Sequence, residues 1–262
     1  MARAREQKRQ KKILARNKIH TISDAAEKMN FSKLSSKWGL GKNGLERIKL
    51  QANSTLSGEK IVKASPANYL KQDNCLEIYF DMESDPFSET EYLYGIHTVD
   101  RTKGTKGSTE YFIAKNKAEE GATFHKFLKR MKTILDKAKQ AGKEWVIYHY
   151  AHYESSHTKK LMGKYDDPEG ILDKMLEGMI DLYRVIRETV ILPLPSYSLK
   201  DVARYKEVGF DWRDEESSAS MSYVWFNNYL QDGDDKWIEK IKIYNEDDLI
   251  ATYKIKEWLI TL

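Results

Sequence analysis

Residues 75–84 read CLEIYFDMES. Leu76, Ile78, Tyr79 and Phe80 form a short apolar run that ends in Asp81-Met82-Glu83, as a buried strand does where it runs out into polar chain. Successive side chains of a strand point to opposite faces, so Asp81 and Glu83 share one. Two carboxylates side by side at the end of a buried strand repel each other and are costly to desolvate. A hard divalent cation between them removes both penalties. Alone, D-x-E reads more simply as two solvated acids before the turn Ser84-Asp85-Pro86. The metal reading needs further carboxylates elsewhere.

Downstream of this strand the pattern alternates. Glu91 to Val99 reads as a second strand, with Gly95 as a bulge or a point of close approach. Thr109 to Ala114 reads as a third, which completes a three-strand antiparallel meander. Ala118 to Ala141 is a long helix, since Phe124, Phe127, Leu128, Met131, Ile134 and Leu135 recur at helical spacing. Trp145 to Tyr150 is a fourth strand. Helices are expected over Glu154 to Met162, Ile171 to Arg187, Leu199 to Tyr205, Ser217 to Tyr229 and Lys236 to Leu259. The fold class is α/β, a mixed sheet flanked by helices and preceded by a small helical segment.

Upstream, the charge is uneven. Residues 1–63 hold 16 Lys/Arg and 5 Asp/Glu, a balance of +11, and the rest hold 28 and 35, a balance of −7. A basic front before an acidic body suggests that one part holds a polyanion and the other holds cations. Residues 1–18 read as a basic arm for phosphate contact. In residues 19–63 short helices are expected from Ser23 to Lys28, Ser32 to Lys37 and Asn43 to Ala52, and Gly39-Leu40-Gly41 interrupts the last two. Helix, Gly-apolar-Gly turn, helix is a helix-hairpin-helix pattern. Gly39 and Gly41 let backbone amides approach a phosphate, the next helix presents its positive end, and Lys42 adds a charge. A glycine C-cap between two packed helices fits the same residues. The Ser, Gly, Asn and Pro content of 53–72 reads as connecting chain, with 64–72 as linker and a compact domain over 73–262.

Two later stretches also end in acids. VIYHYAHYES places His149, His152, Tyr153 and Glu154 after a strand, and IYNEDDLIATYKIKEWL places Tyr244 and Asp248 four apart on one helix face. Asp247 points about a quarter-turn away. Acid-x-acid on a first strand, aromatic-acid after a later strand and Tyr-x-x-x-Asp on a late helix resembles the DEDD exonucleases of the ribonuclease-H-like fold, in the tyrosine subclass. FDMESDP, IYHYAHYES, DLYRVIRETVILPLPSYSLKDVA and YNEDDLIATYKIKEWL are similar to the YprB-type ribonuclease-H-like domain found in RecB-like nucleases, and Ile19 to Ala52 resembles the helix-hairpin-helix piece that precedes it there.

The resemblance implies a 3′→5′ exonuclease that hydrolyses DNA, or RNA, with two Mg²⁺ or Mn²⁺ ions. It implies that Asp81, Glu83, Glu154 and Asp248 bind the ions and that Tyr244 orients the attacking water. Glu154 departs from the aspartate of the wider superfamily, and His149 stands where many relatives have asparagine. Asp181 in MIDLYRV reads as a structural acid. Lys200, Arg184 and Arg187 are candidate phosphate contacts. The expected partner is nucleic acid, single-stranded DNA or DNA ends above all, with no membrane. The alternatives are a non-catalytic nucleic-acid-binding module and a subunit of a larger repair or defence nuclease–helicase complex.

The remaining composition excludes several classes. One cysteine, Cys75, excludes an intrachain disulfide framework and fits a reducing cytoplasm. In its apolar strand it reads as a small core residue. No apolar run approaches a membrane span, and the N-terminus lacks the apolar core of a secretory signal. The expected location is cytoplasmic.

Overall fold

The structure is a computed structural model that describes residues 11–28, 42–71, 75–104, 106–214 and 218–262. The expected helix from Ser32 to Lys37 and the turn Gly39-Leu40-Gly41 lie outside these residues, as does the side chain of Lys42. The first elements are α1 (Ile22–Glu27), α2 (Lys42–Ser57) and β1 (Ile61–Val62). The meander is β2 (Cys75–Asp85), β3 (Thr90–Asp100) and β4 (Gly107–Ile113). Then come α3 (Glu120–Gln140), β5 (Glu144–His149), α4 (Tyr153–Lys164), α5 (Ile171–Gly178), β6 (Met179–Asp181), α6 (Leu182–Thr189) and β7 (Val190–Ile191). The chain closes with α7 (Leu199–Ala203), α8 (Ala219–Asp232) and α9 (Lys236–Leu259). Among the described residues, no helix is long and apolar enough to cross a membrane.

The chain divides into two units, Met1–Ser65 with Ile186–Ser196, and Pro66–Val185 with Tyr197–Leu262. In the smaller unit Thr21, rather than Ser23, caps α1. Thr21 Oγ1 accepts from the Asp24 amide and Asp24 Oδ2 accepts from the Thr21 amide, a reciprocal cap. Ile19, Ala25, Leu45 and Ala52 form its core. The composition of residues 53–57 suggests connecting chain, yet α2 runs on to Ser57. The Thr55 hydroxyl donates back to the Gln51 carbonyl at 2.8 Å, so its polar side chain is satisfied within the helix. β1 pairs antiparallel with β7, and Gln51 donates to the Leu192 carbonyl at 2.7 Å.

The larger unit holds a five-stranded mixed sheet in the order β4-β3-β2-β5-β6. The β2–β3–β4 part is the antiparallel meander, and β5 and β6 join in parallel. Ile78, Phe80, Met82, Tyr94 and Ile96 face α3 and pack on Phe124, Phe127 and Met131 in the main core. The alternate residues of β2, namely Glu77, Tyr79, Asp81 and Glu83, face the other way, toward α9. Cys75 is buried at the start of β2.

One expected helix divides. Ile171 to Arg187 is not continuous, because Met179–Asp181 leaves it as β6 and pairs with the free edge of β5. Gly178 stands at the break. A Cβ there would lie 2.0 Å from the Trp145 ring, so only glycine lets the chain pass this close to β5. Pairing of the strand edge outweighs the local helical pattern.

Candidate active site

Three elements bring carboxylates to one end of the sheet. Asp81 and Glu83 stand on β2, Asp248 comes from α9 opposite them, and Glu154 comes from the first turn of α4, just beyond β5. Carboxylate oxygens of Asp81, Glu83 and Asp248 lie within 4.8 Å of one another. With Glu154 and Tyr244 they line a cleft of about 500 Å³. Glu154 is one of the neighbouring acids whose charge raises Asp81. It stays outside the three-acid cluster, and its Oε2 lies 3.2 Å from His149 Nδ1.

The electrostatics follow from burial. Desolvation, and then the neighbouring carboxylates, hold Asp81 and Glu83 well above the ordinary carboxylate range. Asp248 is pushed up to about 7, because burial outweighs the hydrogen bonds it receives from Trp212 and Tyr244. Burial first, and then Asp248, Glu83 and Asp81, push the Tyr244 hydroxyl far above its ordinary value. At neutral pH that hydroxyl is a donor, not a base.

His157 Nδ1 lies 2.8 Å from Glu91 Oε1, and its ring stacks on Tyr153 at 4.0 Å. His152 is the residue before α4. No histidine joins the acid cluster among the described residues. Asp181 Oδ1 accepts from the Ala151 amide at 2.8 Å. Ala151 has φ of 68°, a left-handed conformation that costs a residue with a Cβ about 1–2 kcal/mol. Asp181 thus holds the turn that aims α4 and Glu154. Asp247 faces away from the cleft and pairs with Arg213 at 2.7 Å. The Lys200 ammonium lies 4.8 Å from the Trp212 ring centre and 5.7 Å from that of Tyr244. Arg187 belongs to the smaller unit.

Three contacts lie outside the sequence motifs. The Trp212 indole donates to Asp248 Oδ1 at 2.7 Å. Asn245 Nδ2 donates to Asp81 Oδ2 at 2.5 Å. The Ser222 and Tyr92 hydroxyls lie 2.7 Å apart, and Ser222 partly offsets the rise at Glu83. Asn245 could have been suspected from its place beside Tyr244 on the same helix turn. Trp212 and Ser222 lie in stretches whose periodicity points to no partner.

Residues 78–260 match the RNase_H superfamily. The chain belongs to that superfamily. The match runs from β2 to the end of α9 and takes in every acid that lines the cleft. No curated protein matches the chain. Membership in the RNase_H superfamily, together with a buried acid cluster that could hold a cation, points to nuclease or nucleotidyl-transfer chemistry on nucleic acid. The RNase_H superfamily fold therefore accounts for the mixed sheet and for the end of it at which the acids gather.

Proposed function

We propose that this chain is a metal-dependent 3′→5′ exonuclease of the YprB-type DEDD branch, tyrosine subclass, acting on single-stranded ends of DNA or RNA. The convergence of Asp81, Glu83 and Asp248 within 4.8 Å, at a buried cleft, carries the reading. The donor set is all oxygen and anionic, which suits Mg²⁺ or Mn²⁺ rather than zinc or copper. Asp81, Glu83 and Asp248, with Glu154 beside Asp81, would hold two such ions. Bound there, the ions supply Lewis-acid activation of water and charge stabilisation at the phosphate.

The rest is the work of side chains. Tyr244 keeps its proton and orients the attacking water through its hydroxyl. Phe87 is 80% exposed at the cleft and lies 5.2 Å from Tyr223, ring centre to ring centre. Exposed aromatic rings beside a phosphate site take unstacked bases, which favours single strands. The basic front, with Gly39, Gly41 and Lys42, would contact phosphates without cutting.

The test is digestion of strands labelled at either end, with Mg²⁺, with Mn²⁺ and with chelator. Stepwise shortening from the 3′ end, abolished by chelator, is expected. Equal digestion in excess chelator would sink the metal mechanism, and internal cuts would sink the exonuclease reading.

A further inference from the structure

We infer that Asn245 is a positioning residue for Asp81, and that Gly95 is glycine in order to admit it. The inference rests on the metal-site reading above. Gly95 on β3 is the Cα partner of Asp81 on β2. Directly opposite residues of an antiparallel pair present side chains to the same face, so a side chain at 95 would stand beside Asp81, toward α9. Its place is taken instead by a side chain from the helix. A Cβ on Gly95 would lie 1.8 Å from Asn245 Oδ1 and 2.9 Å from its Cγ. No real contact is that close, and the displaced group is short and buried, so it has nowhere to swing.

The space that glycine leaves is filled by an amide with one defined task. Asn245 is 0% exposed. Its Nδ2 donates to Asp81 Oδ2 at 2.5 Å. Its Oδ1 is buried against Gly95 with no hydrogen-bond partner among the described residues. A buried carbonyl left unpaired is costly, and glycine inside a strand is a further cost. A residue kept only to fill space would be apolar here, as its neighbour Leu249 is. The amide is accounted for by what its other end does. It holds one oxygen of Asp81 in place and spreads part of the charge that Asp81 and Glu83 share. Asp81 thereby faces the cleft in one rotamer before any cation arrives. Partners behind a metal ligand commonly change metal affinity by about 10–100-fold when removed.

Leu249 provides the control, because its Cδ1 would also meet a Cβ on Gly95, at 3.1 Å, yet it makes no hydrogen bond to an acid. The experiment measures Mn²⁺ binding to the full chain by calorimetry and by loss of the free-ion spin-resonance signal, beside single-turnover cleavage. Asn245→Ala should weaken Mn²⁺ binding about tenfold or more and lower the cleavage rate, with strand affinity changed less than about twofold. Leu249→Ala should change Mn²⁺ binding less than about twofold, although it removes more apolar volume. Gly95→Ala should weaken binding as Asn245→Ala does, and the double variant should be no worse than Asn245→Ala, since the collision is gone. If Gly95→Ala does not fold, the Asn245 and Leu249 variants decide alone. Wild-type Mn²⁺ affinity in Asn245→Ala, or an equal loss in Leu249→Ala, overturns the positioning role. A wild-type protein that binds no Mn²⁺ overturns the metal-site reading and the inference with it.

Discussion

Trp212 and Asp248 are joined by an indole N–H that donates to Oδ1 at 2.7 Å, and the next residue along, Arg213, holds the preceding acid, Asp247, at 2.7 Å. Two successive residues of one loop thus grip two successive acids of α9. Only the first grip reaches the cleft. Trp212→Phe keeps an aromatic ring and removes the N–H. A hydrogen bond to a charged group contributes about 1.5–3 kcal/mol, so turnover at low Mn²⁺ should fall about tenfold to a hundredfold. Arg213→Gln should leave the Mn²⁺ requirement alone. Equal Mn²⁺ titration curves for Trp212→Phe and wild type would show that the bond does not orient Asp248.

The acids make an opposite prediction for stability and activity. Asp81→Asn should cost about a thousandfold or more in cleavage rate, since a ligand that anchors the cation supplies several kcal/mol. The same change removes one of several carboxylates that repel each other in a buried site. In chelator, the variant should therefore melt above wild type at neutral pH. A variant that melts below wild type there, under the same conditions, would mean that the repulsion is already relieved by the protein.

The pH dependence has a definite sign. Asp81, Glu83 and Asp248 all have raised folded-state values, Asp248 at about 7. A raised carboxyl contributes stability that is fully present below its unfolded value, near ~4, and is lost as the pH rises through the folded value. The chelated protein should lose melting temperature between about pH 5 and pH 8. Added Mn²⁺ should restore it at about pH 8 and do little at about pH 5, where protons hold the same oxygens. Thermal melts at the two pH values, with Mn²⁺ and with chelator, check this, and an Mn²⁺ effect larger at the lower pH would be the contrary result.

Tyr244→Phe should lower the single-turnover rate by about tenfold to a hundredfold with little change in strand affinity, as expected for lost orientation of a nucleophile. Because burial and the acids raise the hydroxyl far above its ordinary value, the wild-type rate should show no step from Tyr244 in the alkaline range. Parallel pH–rate curves for wild type and variant are expected. A rise in the wild-type curve that the variant lacks would make Tyr244 a base.

The smaller unit couples distant parts of the sequence. Deleting residues 1–65 strips β7 of its partner β1 and removes the Gln51 bond to Leu192. Val190, Ile191 and Leu192, each 0% exposed, then lose cover, and the truncated chain should aggregate. Replacing the Lys and Arg of residues 1–18 with Gln should leave folding intact and flatten the salt dependence of strand binding. A monomeric, cooperatively melting deletion variant would show that the 186–196 segment does not depend on residues 1–65.

Local periodicity explains what the sequence determined by itself. A period of two puts Asp81 and Glu83 on one face, and a period of 3.6 puts Tyr244 above Asp248 and lines Phe124, Phe127 and Met131 along α3. Those relations hold wherever the strand or helix lies in space, so the meander, the long helices and most of the acids were legible. The tertiary structure alone decided which backbones pass close together. β6 exists because the edge of β5 was free and Gly178 lets the chain reach it. Gly95 is a mere weak point in a strand until Asp81 is known to be its partner and Asn245 to enter between them. Trp212 acquires meaning only 36 residues further on, at Asp248, and Val190-Ile191 only when β1 arrives from far upstream. Contacts of this kind depend on the path of the backbone between them, which no repeat in the sequence encodes.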